Sequence, residues 1–192
     1  MQHPLPHRRA FGRGGSMESM RRPIAVVLIA STLLAACGRD TVGKSSGSPS
    51  ARRAGALLPS DRLALPRYDL ATFRALLAEL RGTPVVVNVW GSWCPPCMEE
   101  APDLAVVSKE FEETVQFLGI DILDEREAAR DFILRYDWQY PHVFDPRGEI
   151  RDGLGYIGQP ITVIYDVNGD VAFEWNGVIN ADRLRNGIRK VV

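Results

Sequence analysis

A close pair of cysteines behind a run of apolar residues is the feature that most constrains the fold of this chain. Residues 85–90 read Val-Val-Val-Asn-Val-Trp, and Cys94 and Cys97 follow shortly after. A nearly unbroken apolar run is typical of a strand buried on both faces of a sheet, with helices covering those faces. The sequence therefore predicts a dithiol beside the end of a central strand in an α/β domain.

The Cys94-Pro95-Pro96-Cys97 segment has the properties of a redox-active dithiol at the start of a helix. Two intervening residues in a first helical turn bring the sulfurs within reach of a disulfide bond. Proline is compatible with that turn, so Pro95 and Pro96 stiffen it at little cost. Because free amide groups at a helix N-terminus stabilise a thiolate, we expect Cys94 to be an exposed nucleophile of lowered pKa. Cys97, inside the turn, is expected to be the buried resolving thiol.

Other roles for the cysteine pair have weaker support. A zinc site needs about four ligands, whereas the histidines that would complete it, His3, His7 and His142, are scattered along the chain. A static structural disulfide would stabilise little, because the loop that it closes is so short. We therefore predict no metal site and no cofactor besides the dithiol itself. His142 is expected to be structural or exposed rather than catalytic.

The remaining apolar patterns predict a mixed central sheet with helices on both faces, formed by residues 61–192. In chain order, we expect a helix capped by Asp69, a strand at 85–90, a helix from Pro95 towards Phe111, a strand at 115–120, a helix ending near Tyr136 after a capping box of Asp124 and Glu127, a strand at 161–165, a two-residue turn at Asn168-Gly169, a strand at 171–175, and a helix capped by Asn180.

The first sixty residues are expected to direct the chain to a membrane. Arg21 and Arg22 precede an apolar segment that ends in small residues, as in a secretory signal. This segment is shorter than the roughly 20 apolar residues that span a bilayer. We expect an upstream extension at 1–16 with the true start at Met17 or Met20, a signal peptide at 17–36, and a flexible tether rich in Gly and Ser at 37–60.

The signal ends in Leu34-Ala35-Ala36-Cys37, which resembles the cleavage box of bacterial lipoproteins. The resemblance implies that Cys37 becomes the mature N-terminus and carries a lipid anchor on its sulfur. An ordinary signal peptide with an incidental cysteine is the alternative. Either way, the sequence predicts an extracytoplasmic location.

The folded part resembles the membrane-tethered TlpA/ResA-like thioredoxins, which include relatives of DsbE type. The resemblance rests on residues 86–97 with their Trp-Cys-Pro-Pro-Cys ending, on Glu100 and Pro102, and on residues 159–162, Gln-Pro-Ile-Thr. It covers essentially all of residues 61–192. It implies a thioredoxin fold and the activity of a thiol–disulfide oxidoreductase.

The same resemblance assigns roles to individual residues. It makes Cys94 the attacking thiol, Cys97 the resolving thiol, and Glu100 an acidic group that takes part in the proton chemistry. It makes Pro160 a cis-proline beside the dithiol. The expected substrate-binding surface consists of Trp93, Pro95, Pro96, Gln159 and Pro160. Asn88 stands where cytoplasmic thioredoxins keep a buried aspartate. The Pro95-Pro96 pair is not the most familiar dipeptide between such cysteines, which leaves the redox potential open.

The leading hypothesis is dithiol–disulfide exchange with proteins outside the cytoplasm, in the reducing direction. Apocytochrome c is the client that the resemblance suggests, and a membrane redox partner would supply electrons. The alternatives are a protein thiol oxidase of DsbA or DsbE type, a thiol peroxidase, and a binding module without enzymatic activity. A net charge of −1 creates no field that attracts nucleic acid. We expect a monomer.

Overall fold

A five-stranded mixed sheet organises residues 56–192, the part of the chain that the computed structural model describes. Predictions for residues 1–55, which include the signal peptide and Cys37, lie outside the described residues. No helix within 56–192 combines the length and the apolar character needed to cross a membrane. The elements are α1 (Leu70–Glu79), β1 (Val85–Trp90), α2 (Pro95–Glu110), β2 (Gln116–Ile122), α3 (Arg126–Arg135), β3 (His142–Asp145), α4 (Glu149–Gly153), β4 (Ile161–Tyr165), β5 (Val171–Asn176) and α5 (Ala181–Ile188).

The strand that precedes the cysteines lies at the centre of the sheet, as its apolar sequence predicts. The strand order is β3-β2-β1-β4-β5. β1 pairs in parallel with β2 and antiparallel with β4. All residues of β1 are buried. The predicted mixed sheet is confirmed, with the start of α2 next to the carboxyl end of β1.

Helices cover both faces of the sheet, because side chains along a strand alternate between its faces. Val86 and Trp90 of β1 pack into a core cluster with residues of α2, α3 and α5. Val85, Val87 and Val89 pack into a second cluster with residues of α1 and α4. The expected helix caps at Asp69 and Asn180 are confirmed, since each side chain accepts a hydrogen bond from a backbone amide in the first turn of its helix.

Two elements, β3 and α4, were not anticipated from the sequence. β3 carries His142 and Asp145, and polar residues in a short segment conceal the apolar pattern of a buried strand. The Asp145 carboxylate accepts hydrogen bonds from the amides of Glu149 at 2.9 Å and Ile150 at 2.8 Å, which starts α4. β3 forms because it pairs with β2, an interaction that no local pattern reveals.

The predicted capping box at the start of α3 is wrong. α3 begins one residue later than that pattern requires, and its N-cap residue, Glu125, makes no side-chain capping bond. The Asp124 carboxylate is instead engaged by Ser92, whose amide donates to Oδ2 at 2.5 Å and whose hydroxyl donates to Oδ1 at 2.9 Å. The Asp124 side chain therefore binds Ser92, which is distant in the sequence, and does not cap α3 as the local pattern predicts.

The predicted two-residue turn at Asn168-Gly169 is also wrong. The Asp166 amide donates to the Asp170 carbonyl at 2.9 Å, so the loop between these residues contains residues 167–169. The Asp166 carboxylate accepts from the amides of Asn168 and Asp170 and supports this longer loop. Gly169 takes a positive φ of 84°, which suits the closing residue of such a loop.

Candidate active site

The two cysteines form a disulfide at the N-terminus of α2. Their Cα atoms are 5.2 Å apart, within the range that a disulfide requires. Cys94 is the N-cap residue, and Pro95 and Pro96 occupy the first helical positions. The sequence predictions of disulfide reach and of a helix starting at Pro95 are therefore confirmed.

One backbone amide is directed at the sulfur of Cys94. The Cys97 amide donates to Cys94 Sγ at 3.3 Å. Pro95 and Pro96 lack an N–H group, so they contribute no donor in the first turn. In the reduced state, the Cys97 amide and the positive potential of the helix end would favour a thiolate at Cys94.

The expected exposure of Cys94 is wrong. The residue is 2% exposed and belongs to the same core cluster as the fully buried Cys97. The reason is that Cys94, as N-cap residue, turns its side chain back over the first turn, where it meets both the Cys97 amide and the Cys97 sulfur. Pro95, Pro96 and Trp93 supply the exposed surface of this segment.

Trp93 is fixed to the neighbouring strand through its indole. Its Nε1 donates to the Ile122 carbonyl at the end of β2 at 3.2 Å, and the residue remains 45% exposed. A Cβ atom on Gly91 would lie 2.7 Å from this Nε1, so glycine makes room for the indole. Trp93 therefore presents part of its ring to solvent immediately before the dithiol.

The predicted cis bond between Gln159 and Pro160 is confirmed. Pro160 is buried and directly precedes β4, where Ile161 pairs with Val89 of β1. This register places Pro160 at the same end of the sheet as the residues that follow β1. The Gln159 side-chain oxygen accepts from Arg151 Nη1 at 3.2 Å, which connects this loop to α4.

Glu100 is buried one helical turn after Cys97, on the same face of α2. It is 1% exposed, and its carboxylate accepts hydrogen bonds from Asn88 Nδ2 at 2.8 Å and from the Ile179 amide at 3.0 Å. Asn88 Nδ2 also lies 3.3 Å from Thr162 Oγ1 on β4. Burial raises the pKa of Glu100 to about 7, although both hydrogen bonds lower it. Such a group gains or loses a proton close to neutral pH.

Sequence reasoning missed several polar groups near this site. Tyr140 lies in the core cluster that contains the dithiol, and burial together with the negative charge of Glu100 raises the pKa of its hydroxyl. Asp121 is fully buried at the end of β2. Asp124 binds Ser92, two residues before Cys94. No local signal marks these roles, because they depend on contacts with other elements, such as the one between Asp124 and Ser92 across 32 positions.

His142 is part of the core, as one of its two expected placements requires. It is fully buried, and its ring packs against Trp90, Trp138 and Tyr140. Burial, together with a smaller effect of the Arg62 charge, lowers the pKa of His142 to about 3. Within residues 56–192, no three His, Cys, Asp or Glu side chains are grouped as a metal site would require.

Comparisons with known proteins identify one family and several relatives that are named for thiol–disulfide chemistry. The model of the AhpC/TSA family matches residues 62–174. The thiol-disulfide oxidoreductase ResA of Bacillus thuringiensis subsp. konkukian is 29% identical over 124 residues, which cover 64% of this chain and 72% of that protein. The thiol:disulfide interchange protein DsbE of Pseudomonas aeruginosa is 32% identical over 121 residues, covering 60% of this chain and 66% of the relative.

Solved structures of similar proteins share the fold. A secreted disulfide oxidoreductase of Mycobacterium tuberculosis, homologous to E. coli DsbE, matches with a TM-score of 0.56 and 26% identity. That match covers 69% of this chain and 99% of the other. A DsbF homologue from Corynebacterium diphtheriae matches with a TM-score of 0.56 and 29% identity, over 59% of this chain and 75% of the other.

Proposed function

Because this chain belongs to the AhpC/TSA family and is a thiol–disulfide oxidoreductase, we propose that it exchanges disulfides with proteins outside the cytoplasm through Cys94 and Cys97. The observation that carries the proposal is the disulfide at the N-terminus of α2, with the Cys97 amide directed at Cys94 Sγ. Trp93, Pro95, Pro96, Gln159 and Pro160 would form the surface that receives the client.

The exchange takes place in two displacements. In the reduced protein, the Cys94 thiolate attacks one sulfur of a client disulfide, which forms a mixed disulfide and releases one client thiolate. The Cys97 thiol then loses its proton and attacks Cys94 Sγ. This step releases the second client thiolate and forms the Cys94–Cys97 disulfide, so two electrons pass to the client.

Glu100 is proposed to receive the proton that Cys97 loses. It shares a helix face with Cys97, and its pKa of about 7 suits a group that changes protonation at neutral pH. The hydrogen bonds from Asn88 and Ile179 hold the carboxylate in place.

Replacing Glu100 with glutamine is expected to lower the thiol pKa of Cys94 by about one unit, because a nearby negative charge opposes thiolate formation. The effect should be present above pH 7, where Glu100 is ionised, and should fade as the pH falls below 7. Thiolate absorbance of the reduced protein measures it. Glu99→Gln, an exposed neighbour on α2, is the matched control. A thiol titration that Glu100→Gln leaves unchanged would remove Glu100 from the mechanism.

We propose further that the protein acts as a reductant. Oxidising power in this fold increases when the thiolate of the attacking cysteine is stabilised. Here Pro95 and Pro96 remove two amide donors, and the Cys97 amide is left to serve Cys94. An ionised Glu100 on the same helix disfavours the thiolate further.

The reduction potential of the dithiol tests this direction. Equilibration with glutathione buffers is expected to give a value more negative than about −200 mV, the range of glutaredoxins and thioredoxin. A value near the roughly −120 mV of DsbA would show that the protein oxidises its clients.

The relatives and the N-terminal sequence support a location outside the cytoplasm. The similar M. tuberculosis protein is secreted, and the signal pattern at residues 17–36 supports export of this chain. We propose apocytochrome c as a client, a membrane protein as the electron donor, and a monomeric state. Residues 1–16 would be an upstream extension. The predicted tether at 37–60 is too long at its end, because Leu57 and Leu58 pack against the second core cluster and the Leu57 amide donates to Glu79 Oε2 at 3.1 Å. The tether would therefore end before Leu57.

Replacing Cys37 with alanine is expected to abolish attachment to the membrane, because the proposed lipid is bonded to the sulfur of this residue. The natural protein should enter the detergent phase in a phase-partitioning experiment, and the Cys37→Ala variant should not. The Cys94→Ser variant should partition as the natural protein does, which controls for the loss of a thiol. Equal aqueous partitioning of all three proteins would eliminate the lipid anchor.

A further inference from the structure

The residues just before Cys94 are fastened to the segment that follows β2. The Asp124 carboxylate accepts from the amide and the hydroxyl of Ser92, at 2.5 Å and 2.9 Å. The Trp93 indole donates to the Ile122 carbonyl at 3.2 Å. These hydrogen bonds connect the approach to the dithiol with residues that lie about thirty positions further along the chain.

Asp121, three residues before Asp124, places a second, buried carboxyl group near the contact between Asp124 and Ser92. It is fully buried, and no donor within residues 56–192 reaches either of its carboxyl oxygens, so the Asp124 carboxyl is the polar group to which a protonated Asp121 can donate. It pairs across the sheet with Trp90 at the end of β1. The charged groups that act on it are Asp124 in the same segment, Asp145 on β3 and Arg126 on α3.

We propose that a neutral Asp121 and an ionised Asp124 act as a pair that positions Ser92 and Trp93, and thereby Cys94, for disulfide exchange. Loss of the Asp121 proton would release this segment. Asp121 is a positioning residue in this scheme, since it acts through Asp124 and Ser92. The proposal rests on the proposed role of Cys94 as the attacking thiol.

The charges around Asp121 explain why its proton matters. Asp124 uses both oxygens as acceptors, for the amide and hydroxyl of Ser92 and also for the Glu125 amide at 2.7 Å, an arrangement that suits a carboxylate. A second negative charge at Asp121 would be desolvated and would face both Asp124 and Asp145. Burial, followed by the charge of Asp124, raises the pKa of Asp121 to about 9, while Arg126 opposes the shift. Asp121 is therefore neutral at physiological pH, and its ionisation would repel the carboxylate that binds Ser92.

Titration of the oxidised protein tests the pair without interference from thiols. Tryptophan fluorescence between pH 7 and pH 10 should show a transition near pH 9. Trp93→Phe should reduce the size of this transition, which identifies the contribution of Trp93; the remainder comes from Trp90, which pairs with Asp121 across the sheet. Asp121→Asn, which keeps a neutral group in place, should remove it. Asp124→Asn should move it about one unit lower, because a like charge is gone. Asp131→Asn, an exposed carboxyl change on α3, is the control and should leave it unchanged.

The pH profile of insulin reduction connects the pair with the reaction. Above pH 9, the natural protein should reduce insulin about tenfold more slowly than ionisation of the thiol alone would give, because a reacting group is misplaced. This fall should be absent from Asp121→Asn. Ser92→Ala, which removes one hydrogen bond and spares the buried carboxyl, should slow exchange at pH 7.

Several results would overturn the proposal. One is a fluorescence transition with the same midpoint and size in the natural protein and in Asp121→Asn. Another is the same alkaline profile of insulin reduction in these two proteins. A third is full exchange activity in Ser92→Ala. If the natural protein reduced no disulfide at any pH, the proposed function would fail instead. The titration of the oxidised protein would still decide whether Asp121 controls the Ser92 segment.

Discussion

Serine in place of Cys94 is expected to reduce the rate of insulin disulfide reduction by a factor on the order of 10³ or more, because the thiolate is the nucleophile and a serine hydroxyl cannot replace it. The loss should be complete at every pH from 6 to 9. Turbidity of the released insulin chain measures the rate, with dithiothreitol as the electron source. Circular dichroism of the variant checks that the fold is retained.

Serine in place of Cys97 should separate attack from resolution. This variant retains the attacking thiol and lacks the thiol that resolves the mixed disulfide, so covalent complexes with clients should accumulate. Non-reducing electrophoresis detects them, and the Cys94→Ser variant should form none. Trapping by Cys94→Ser alone would show that the two roles are exchanged. Rapid consumption of hydrogen peroxide by the natural protein, without disulfide reduction, would support the thiol peroxidase alternative.

Acid is expected to destabilise the fold through His142, by a few kcal/mol (on the order of 4) between pH 6.5 and pH 3. The folded pKa of His142 is lowered to about 3, whereas an unfolded histidine has a pKa of about 6.5. Between these values the unfolded chain binds the additional proton. The stability that the neutral ring contributes is therefore complete above pH 6.5, and it is lost as the pH falls towards 3.

The packing around the His142 imidazole causes this dependence of stability on pH. Its two nitrogens have no hydrogen-bond partner within residues 56–192, and the ring lies among Trp90, Trp138 and Tyr140. A Cβ atom at Gly119 would lie 1.9 Å from Nδ1, so the backbone of β2 closes one side of the ring. A charged imidazole would have to be accommodated in this apolar site without a counter-charge.

Urea unfolding of the natural protein and of His142→Phe, at several values of pH, measures the effect. Glu100 and Asp121 have raised pKa values, so their protonation favours the folded state as the pH falls and partly masks the loss. The difference in the free energy of unfolding between the two proteins removes the contribution of Glu100 and Asp121, because both carboxyl groups remain in the variant. Stability of the natural protein should fall relative to His142→Phe below pH 6.5. Parallel pH profiles would show that His142 does not carry the linkage.

The sequence by itself determined the parts of this protein whose causes are local. The apolar run of β1 requires a central strand, and the prolines after Cys94 suit the first turn of α2. Asp69 and Asn180 can reach amides in the next turn, so the helices that they cap could be placed accurately. The spacing of the two cysteines predicts their disulfide, because it depends on one turn of helix.

Only the tertiary structure determined the hydrogen-bond partners and the protonation of the polar groups around the dithiol. The Ile179 amide reaches Glu100 across 79 positions, and Ser92 reaches Asp124 across 32. Local patterns predicted a helix cap at Asp124 and an exposed Cys94. Contacts between distant parts of the sequence instead bind Asp124 to Ser92 and bury Cys94. The protonation of Glu100, Asp121 and His142 depends on how much water the assembled sheet and helices exclude. Water is excluded by all the packed elements together, so no segment of the sequence specifies these pKa values on its own.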